Sequence, residues 1–184
     1  TLRVKNQDEP LNRISHNVRY EYAKIETIFL LGEKKRNLLT IEKDNTFNMF
    51  LHGNEERFKI IKEWFINPNI PVNVYGKWDE YENVYPNIFK NIPMIEMKET
   101  VDRTKFTLIL GRKYSNFVTQ KFWETINLGI IPFIHKDYDS DKLLPIPDLL
   151  RVSSQFDMKN KIEFLNNNDN EYKALLKHFD DVLT

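Results

Sequence analysis

Apolar and polar positions fall into blocks along this chain, and the clearest blocks lie between residues 105 and 134. The apolar run Phe106 to Leu110 ends at Gly111, and a polar stretch follows. Phe117, Val118, Phe122, Trp123 and Ile126 then recur at helical spacing before a second apolar run, Ile130 to Ile134. Ser115 predicts the helix N-cap and Gly129 its end. Strand, loop, helix, strand is a βαβ unit, whose ligand belongs beyond the carboxyl end of the first strand. Backbone N–H groups at the helix N-terminus favour phosphate there.

The same reading extends outward. It predicts a strand over Phe47 to Leu51, a loop at His52 to Asn54, a helix from about Glu55 to Phe65, a Pro/Asn turn, and a strand over Val72 to Tyr75 closed by Gly76. A short strand is expected near Ile92 to Ile95 and a short helix at Lys98 to Asp102. Beyond the βαβ unit it predicts an acidic loop, a strand at Leu149 to Val152, helices at Met158 to Leu165 and Glu171 to Leu183, and a loop at Asn166 to Asn170. Strands alternating with helices mean an α/β fold with a mainly parallel sheet and right-handed crossovers. Residues 1–45 read as an N-terminal extension or linker with one apolar stretch, Ile25 to Leu31, followed by the charged turn Gly32 to Arg36. Residues 46–184 read as the folded domain.

Composition narrows the function classes. At 184 residues the chain suffices for one domain with a real core. Lys+Arg 27 balance Asp+Glu 27, so no global field draws it to nucleic acid or anionic lipid. Cysteine is absent, which removes disulfides, thiolate catalysis and zinc–thiolate sites. No run has the length of a membrane span, and the N-terminus lacks signal-peptide features. These features read as a soluble, cytoplasmic protein without a membrane partner, and a first residue other than Met reads as processing or excision from a longer chain.

Candidate chemistry clusters at two strand-to-helix turns. Lys121 and Glu124 share a helix face near the expected ligand, where the amine suits a diphosphate and the carboxylate suits ribose hydroxyls. The alternative is an exposed ion pair worth about 0.2 to 0.5 kcal/mol. In the turn His52 to Arg57, Gly53 permits backbone approach and Arg57 can fork onto phosphate, whereas Glu55 and Glu56 are accounted for by the helix dipole. Asp137, Asp139 and Asp141 alternate but lack the glycine and distal glutamate of a calcium loop, so they read as a solvated turn. The four histidines lack ligand spacing, and Lys34-Lys35-Arg36 reads as a surface turn. Trp64, Trp78 and Trp123 accompany apolar patterns and read as core or subunit contacts.

The run Leu108 to Ile134, with Asn116-Phe117 and Trp123-Glu124-Thr125 as its most specific part, resembles the nucleotide-sugar half of GT-B glycosyltransferases. Within these it most resembles the bacteriophage DNA β-glucosyltransferases that modify 5-hydroxymethylcytosine. Asn91-Ile92-Pro93-Met94, Val74-Tyr75-Gly76 and Phe50 to Arg57 fall in the matching order, so the likeness covers residues 47–165. The resemblance implies a Rossmann-like parallel sheet with helices on both faces and a glycosyltransferase that moves glucose from UDP-glucose to an acceptor hydroxyl, in the phage family a DNA base. It implies donor contacts at Gly53, Arg57, Ile92, Asn116, Lys121 and Glu124, with Glu124 on the ribose, Lys121 facing the diphosphate and the Ile92 main chain on the base. It assigns no catalytic residue here and leaves a divalent metal undecided. Lysine stands at position 121 where the family tends to carry arginine, and the turn at 53–57 is shorter and more acidic than the family's. Residues 1–45 are too short for the acceptor-binding domain. The resemblance therefore implies a C-terminal half, a chain completed by a partner subunit, or a non-catalytic binding module. The same region also resembles α1,3-fucosyltransferases, with Gln120-Lys121 in place of their Glu-Lys pair, which keeps a GDP-sugar donor in view.

Overall fold

The computed structural model describes residues 43, 44, 46–110, 119–139 and 142–183. Six strands, β1 (Thr46–Phe50), β2 (Asn73–Tyr75), β3 (Phe89–Lys90), β4 (Thr104–Ile109), β5 (Ile131–His135) and β6 (Arg151–Val152), form one sheet in the order β3-β2-β1-β4-β5-β6. Every pairing is parallel. The chain winds outward from β1 to one edge, then returns to lay β4 on the other side of β1. The strand order therefore reverses between β1 and β4, and open α/β sheets take their ligands at that reversal.

Among the described residues four helices connect the strands, α1 (Glu55–Ile61), α2 (Glu80–Val84), α3 (Met94–Arg103) and α4 (Gln120–Asn127), and two follow β6, α5 (Gln155–Asn167) and α6 (Asp169–Leu183). Central β4 and β5 are buried along their whole length, which explains their near-continuous apolar sequences. The buried face of α4 carries Phe122, Trp123 and Ile126, all fully enclosed, and α6 packs Phe179 edge-on against Phe122 with ring centroids 6.0 Å apart. All three tryptophans belong to this core. α1 runs into a wider π turn over Lys62–Ile66, and this places Trp64 and Phe65 inward.

Several expectations are corrected at the edges. The strand expected at Ile92 to Ile95 is β3, ending at Lys90; Pro93 then caps α3, and Met97 N–H donates to its carbonyl at 3.0 Å. An apolar run as short as Ile92 to Ile95 has no period of its own, and the proline favours a helix start. α3 consequently begins earlier than the expected Lys98. At Leu149 to Val152 a 3-10 turn, Asp148–Leu150, precedes a two-residue strand. The Asn166 to Asn170 loop shrinks to Asn168, the residue between α5 and α6. Helix α2 was not anticipated. The described helix α4 is capped by Thr119, whose hydroxyl accepts from Lys121 N–H at 3.3 Å. Lys121 therefore lies in the first turn. Expectations for residues 1–42 and for the loop 111–118, including Ser115 and Asn116, lie outside the described residues.

Candidate functional site

The carboxyl ends of the strands carry the candidate residues, and the first of these ends are locked to one another. Leu51 N–H donates to Tyr75 O at 3.0 Å, Gly53 N–H to Lys77 O at 2.9 Å, and Lys77 N–H to His52 Nδ1 at 3.2 Å. The Trp78 indole N–H donates back to Leu51 O at 3.0 Å. A Cβ on Gly53 would meet the Trp78 ring at 2.9 Å, so glycine is required there by the indole. Gly76, at φ +149°, would bring a Cβ within 2.2 Å of Leu51 O. The loops after β1 and β2 thus form one rigid rim.

Arg57 spans the reversal itself. Its backbone N–H donates to Asn54 Oδ1 at 2.9 Å, the N-cap bond of α1, and this points the side chain along the sheet edge. Nε donates to Leu110 O at 3.0 Å beyond β4, and Nη1 to His52 O at 2.7 Å beyond β1. The guanidinium therefore ties together the two strand ends between which a ligand would enter. Its forked geometry is engaged on main-chain carbonyls.

Helix α4, which follows β4, carries Lys121 and Glu124 in its first turns. Lys121 Nζ and Glu124 Oε2 are 2.7 Å apart, the lysine side chain 53% and the glutamate 26% exposed. The Thr125 hydroxyl donates to Lys121 O at 2.6 Å and steadies the first turn. No acid occupies that turn, so Lys121 adds to the positive end of the helix instead of offsetting it. An ammonium has three donors, and one serves Glu124. Ile92 is half-buried in the segment after β3, three strand positions from β4, about 14 Å at the usual spacing. Gly53 and Arg57 follow β1, and Lys121 and Glu124 follow β4, the two strands that flank the reversal, whereas Ile92 sits towards the sheet edge.

The end of β5 adds residues that sequence reasoning passed over. His135 closes the strand, buried, its Nδ1 accepting from Asp137 N–H at 3.2 Å, with the Trp64 ring 5.3 Å and the Tyr138 ring 5.7 Å from its own. Burial, reinforced by Glu56 and Asp137 and opposed by Arg57, pushes the Tyr138 phenol up to about 12. The available signal was a histidine ending an otherwise apolar parallel strand on the ligand edge. Asp139 corrects the solvated-turn reading. It is buried, pairs with Arg151 Nη1 at 2.5 Å, and accepts from Leu143 N–H at 2.8 Å, holding the loop after β5 in place. Among the described residues no cluster of metal-binding side chains occurs, and no helix is long and apolar enough to cross a membrane.

Comparison with known proteins agrees with this architecture. Residues 42–181 match the family model described as glycosyltransferase family 10 (fucosyltransferase), C-terminal. Among solved structures, T4 phage BGT in complex with UDP-glucose superposes with a TM-score of 0.64 at 19% identity, over 85% of this chain and 49% of that one. T4 phage BGT in complex with UDP and Mn2+ gives 0.62 at 21% identity, over 77% of this chain and 44% of that one. The DNA-modifying enzyme β-glucosyltransferase gives 0.63 at 21%, over 77% and 46%. At such identities the likeness is one of fold, the GT-B type, and this chain spans under half the length of each neighbour. No curated protein matches the sequence significantly.

Proposed function

The chain belongs to glycosyltransferase family 10 (fucosyltransferase), and from that premise we propose that residues 46–183 form the donor-binding half of an enzyme that transfers a hexose from a nucleotide sugar to an acceptor hydroxyl. The observation that carries the reading is the Lys121–Glu124 pair, 2.7 Å apart in the first turns of the helix that follows β4, beside the reversal of strand order. There Glu124 accepts hydrogen bonds from two ribose hydroxyls while Lys121 turns its remaining donors to the diphosphate. The acceptor oxygen bonds to the anomeric carbon as the bond to phosphate breaks, and the charge gathering on the leaving diphosphate is met by the lysine and the N-terminus of α4.

Arg57 has a supporting part, holding the β1 and β4 ends at a fixed distance so that the phosphate groups meet a preformed rim. Gly53 keeps that rim close to Trp78, the Ile92 main chain receives the base, and Asn116 is a donor contact on the strength of the sequence resemblance. The family's name favours a GDP-fucose donor. UDP-glucose, with a DNA acceptor, is the second reading and rests on the phage β-glucosyltransferase fold and the sequence resemblance. The catalytic base and the acceptor surface belong to a part of the enzyme beyond this domain.

Calorimetric titration with GDP, GDP-fucose, UDP and UDP-glucose tests both levels of the proposal. One nucleotide is expected to bind at least tenfold more tightly than the other. Glu124→Ala should weaken it by a similar factor with an unchanged circular dichroism spectrum, because the ribose contacts disappear. Equal affinity in wild type and variant would return Lys121–Glu124 to an ordinary surface ion pair. Silence across all four ligands would favour a docking module with the same fold.

A further inference from the structure

At the opposite end of the sheet from the site above, a groove of about 670 Å³ opens beneath the amino ends of β1 and β2. Phe47, Ile66, Ile70, Val72, Val84 and Tyr85 form its apolar walls, and Thr46, Asn69, Asn73 and Asn87 interrupt them. None of its described lining residues is charged, in a chain of which 29% of residues are. Such a lining repels a phosphate or a carboxylate, whose desolvation no partner would offset. With Asn73 turned to Asn48 and the Thr46 hydroxyl to Arg103 O, the Asn69 and Asn87 carboxamides among apolar walls match an extended apolar peptide, offering donors and acceptors for its main chain and contact for its side chains. Val84, 63% exposed on the rim, is one of the most exposed large apolar side chains described.

We propose that this groove is the seat of the chain's own apolar segment Ile25 to Leu31. Three observations favour that occupant over a foreign one. The segment is the one convincing apolar stretch in residues 1–45, and none of the candidate donor residues falls in it. Its tether is short. Residues 32–45 span at most about 46 Å at about 3.3 Å per residue, and they lead into Thr46, itself part of the groove wall. A tether of that length holds the segment at an effective concentration on the order of millimolar, which a free partner seldom reaches. Charge is complementary as well. The basic triplet Lys34-Lys35-Arg36 follows the segment, and the acidic residues Asp79, Glu80 and Glu82 lie on α2 and its cap, the helix that delivers Val84 to the rim.

The absence of cysteine gives a clean test. In the full chain, Ile28→Cys combined with Val84→Cys is treated with a short bis-maleimide, and cross-linked peptides are mapped by mass spectrometry. The control pairs Ile28→Cys with Phe156→Cys, an exposed apolar position on α5. Docking predicts an intrachain Ile28–Val84 cross-link at least fivefold more abundant than the control, and a loss of that excess when Phe29→Asp is added. In wild type, hydrogen exchange of residues 66–72 and 84–88 should be slower than in Phe29→Asp. Equal yields for the two pairs, cross-links formed only between chains, or exchange unaffected by Phe29→Asp would each overturn the proposal. The nucleotide site can fail or succeed independently, since neither cysteine position belongs to it.

Discussion

The two ends of this sheet are made of the same strands but of different chemistry. At the amino end, neutral side chains form a ladder: Asn73 Nδ2 donates to Asn48 Oδ1 at 3.3 Å, Asn48 Nδ2 to Thr104 Oγ1 at 2.8 Å, and the Thr104 hydroxyl to Thr100 O at 2.7 Å. At the carboxyl end Arg57, Lys121 with Glu124, and His135 follow or close β1, β4 and β5 in turn. The charged groups of the amino end, among them Arg103 paired with Asp44 and Lys43 on Leu128 O, are instead turned to one another or to helix ends. A parallel sheet supplies the reason. Helix N-termini converge on the carboxyl end, so charge there meets aligned N–H groups and can serve an anionic ligand. The amino end receives helix C-termini and is closed by self-satisfied polar pairs. On the proposed reading, ligand binding belongs to the carboxyl end alone, while both ends carry stability.

Substitutions ranked by expected effect sharpen that contrast. Gly76→Ala should be the most damaging, by about 3 kcal/mol or more in denaturant unfolding, because a positive φ coincides with a backbone oxygen 2.2 Å from the new Cβ. Arg57→Met should cost about 2 to 3 kcal/mol by releasing two carbonyls at the reversal. Arg57→Lys should recover little, since an ammonium cannot fork between them. If Arg57→Lys unfolds like wild type while losing nucleotide affinity, the residue is a phosphate ligand and not a clamp. Asn48→Ala, at the other end, should cost about 1 to 2 kcal/mol and leave nucleotide binding untouched.

Titration separates the ends more finely. Tyr138 lies at the carboxyl end and Tyr172 beside Lys105 at the amino end of β4, and burial is the main cause raising each phenol to about 12. An unfolded tyrosine gives up its proton near the ordinary value of 10.0. Stability from these two residues is therefore complete below pH 10 and drains away as pH rises from 10 to about 12. Ultraviolet difference titration should show a late-ionising step for Tyr138 and for Tyr172, and Tyr138→Phe should remove the first of them. Saturating nucleotide should shift the Tyr138 step alone, being close to Arg57. A shift of the Tyr172 step would break the division of labour.

What could be read from the sequence follows the same geography. Central β4, α4 and β5 were legible because burial on both faces of a strand and on one face of a helix leaves unbroken apolar runs and a clean period. Edge strands β3 and β6 have two residues each, too few for any period, and Pro93 and Pro147 begin helical turns within runs that otherwise read as extended. In the site, Lys121 and Glu124 were legible as an i, i+3 pair. The Arg57 contact with Leu110 joins residues 53 apart and depends on strand order, which local pattern does not encode. Asp139 was misread for the same reason. Its partner Arg151 arrives only when β6 docks on β5.

The π turn that ends α1 has one more consequence. Asn67 N–H reaches back five residues to Lys62 O at 2.9 Å, a spacing that fits one surplus amino acid into the coil. Deleting a single position there would restore regular winding and swing everything downstream by about 100°. The indole of Trp64 would then leave the imidazole it now covers. Length variation at this one spot offers nature, or an engineer, a discrete way to uncover or shield the histidine without replacing any candidate donor residue.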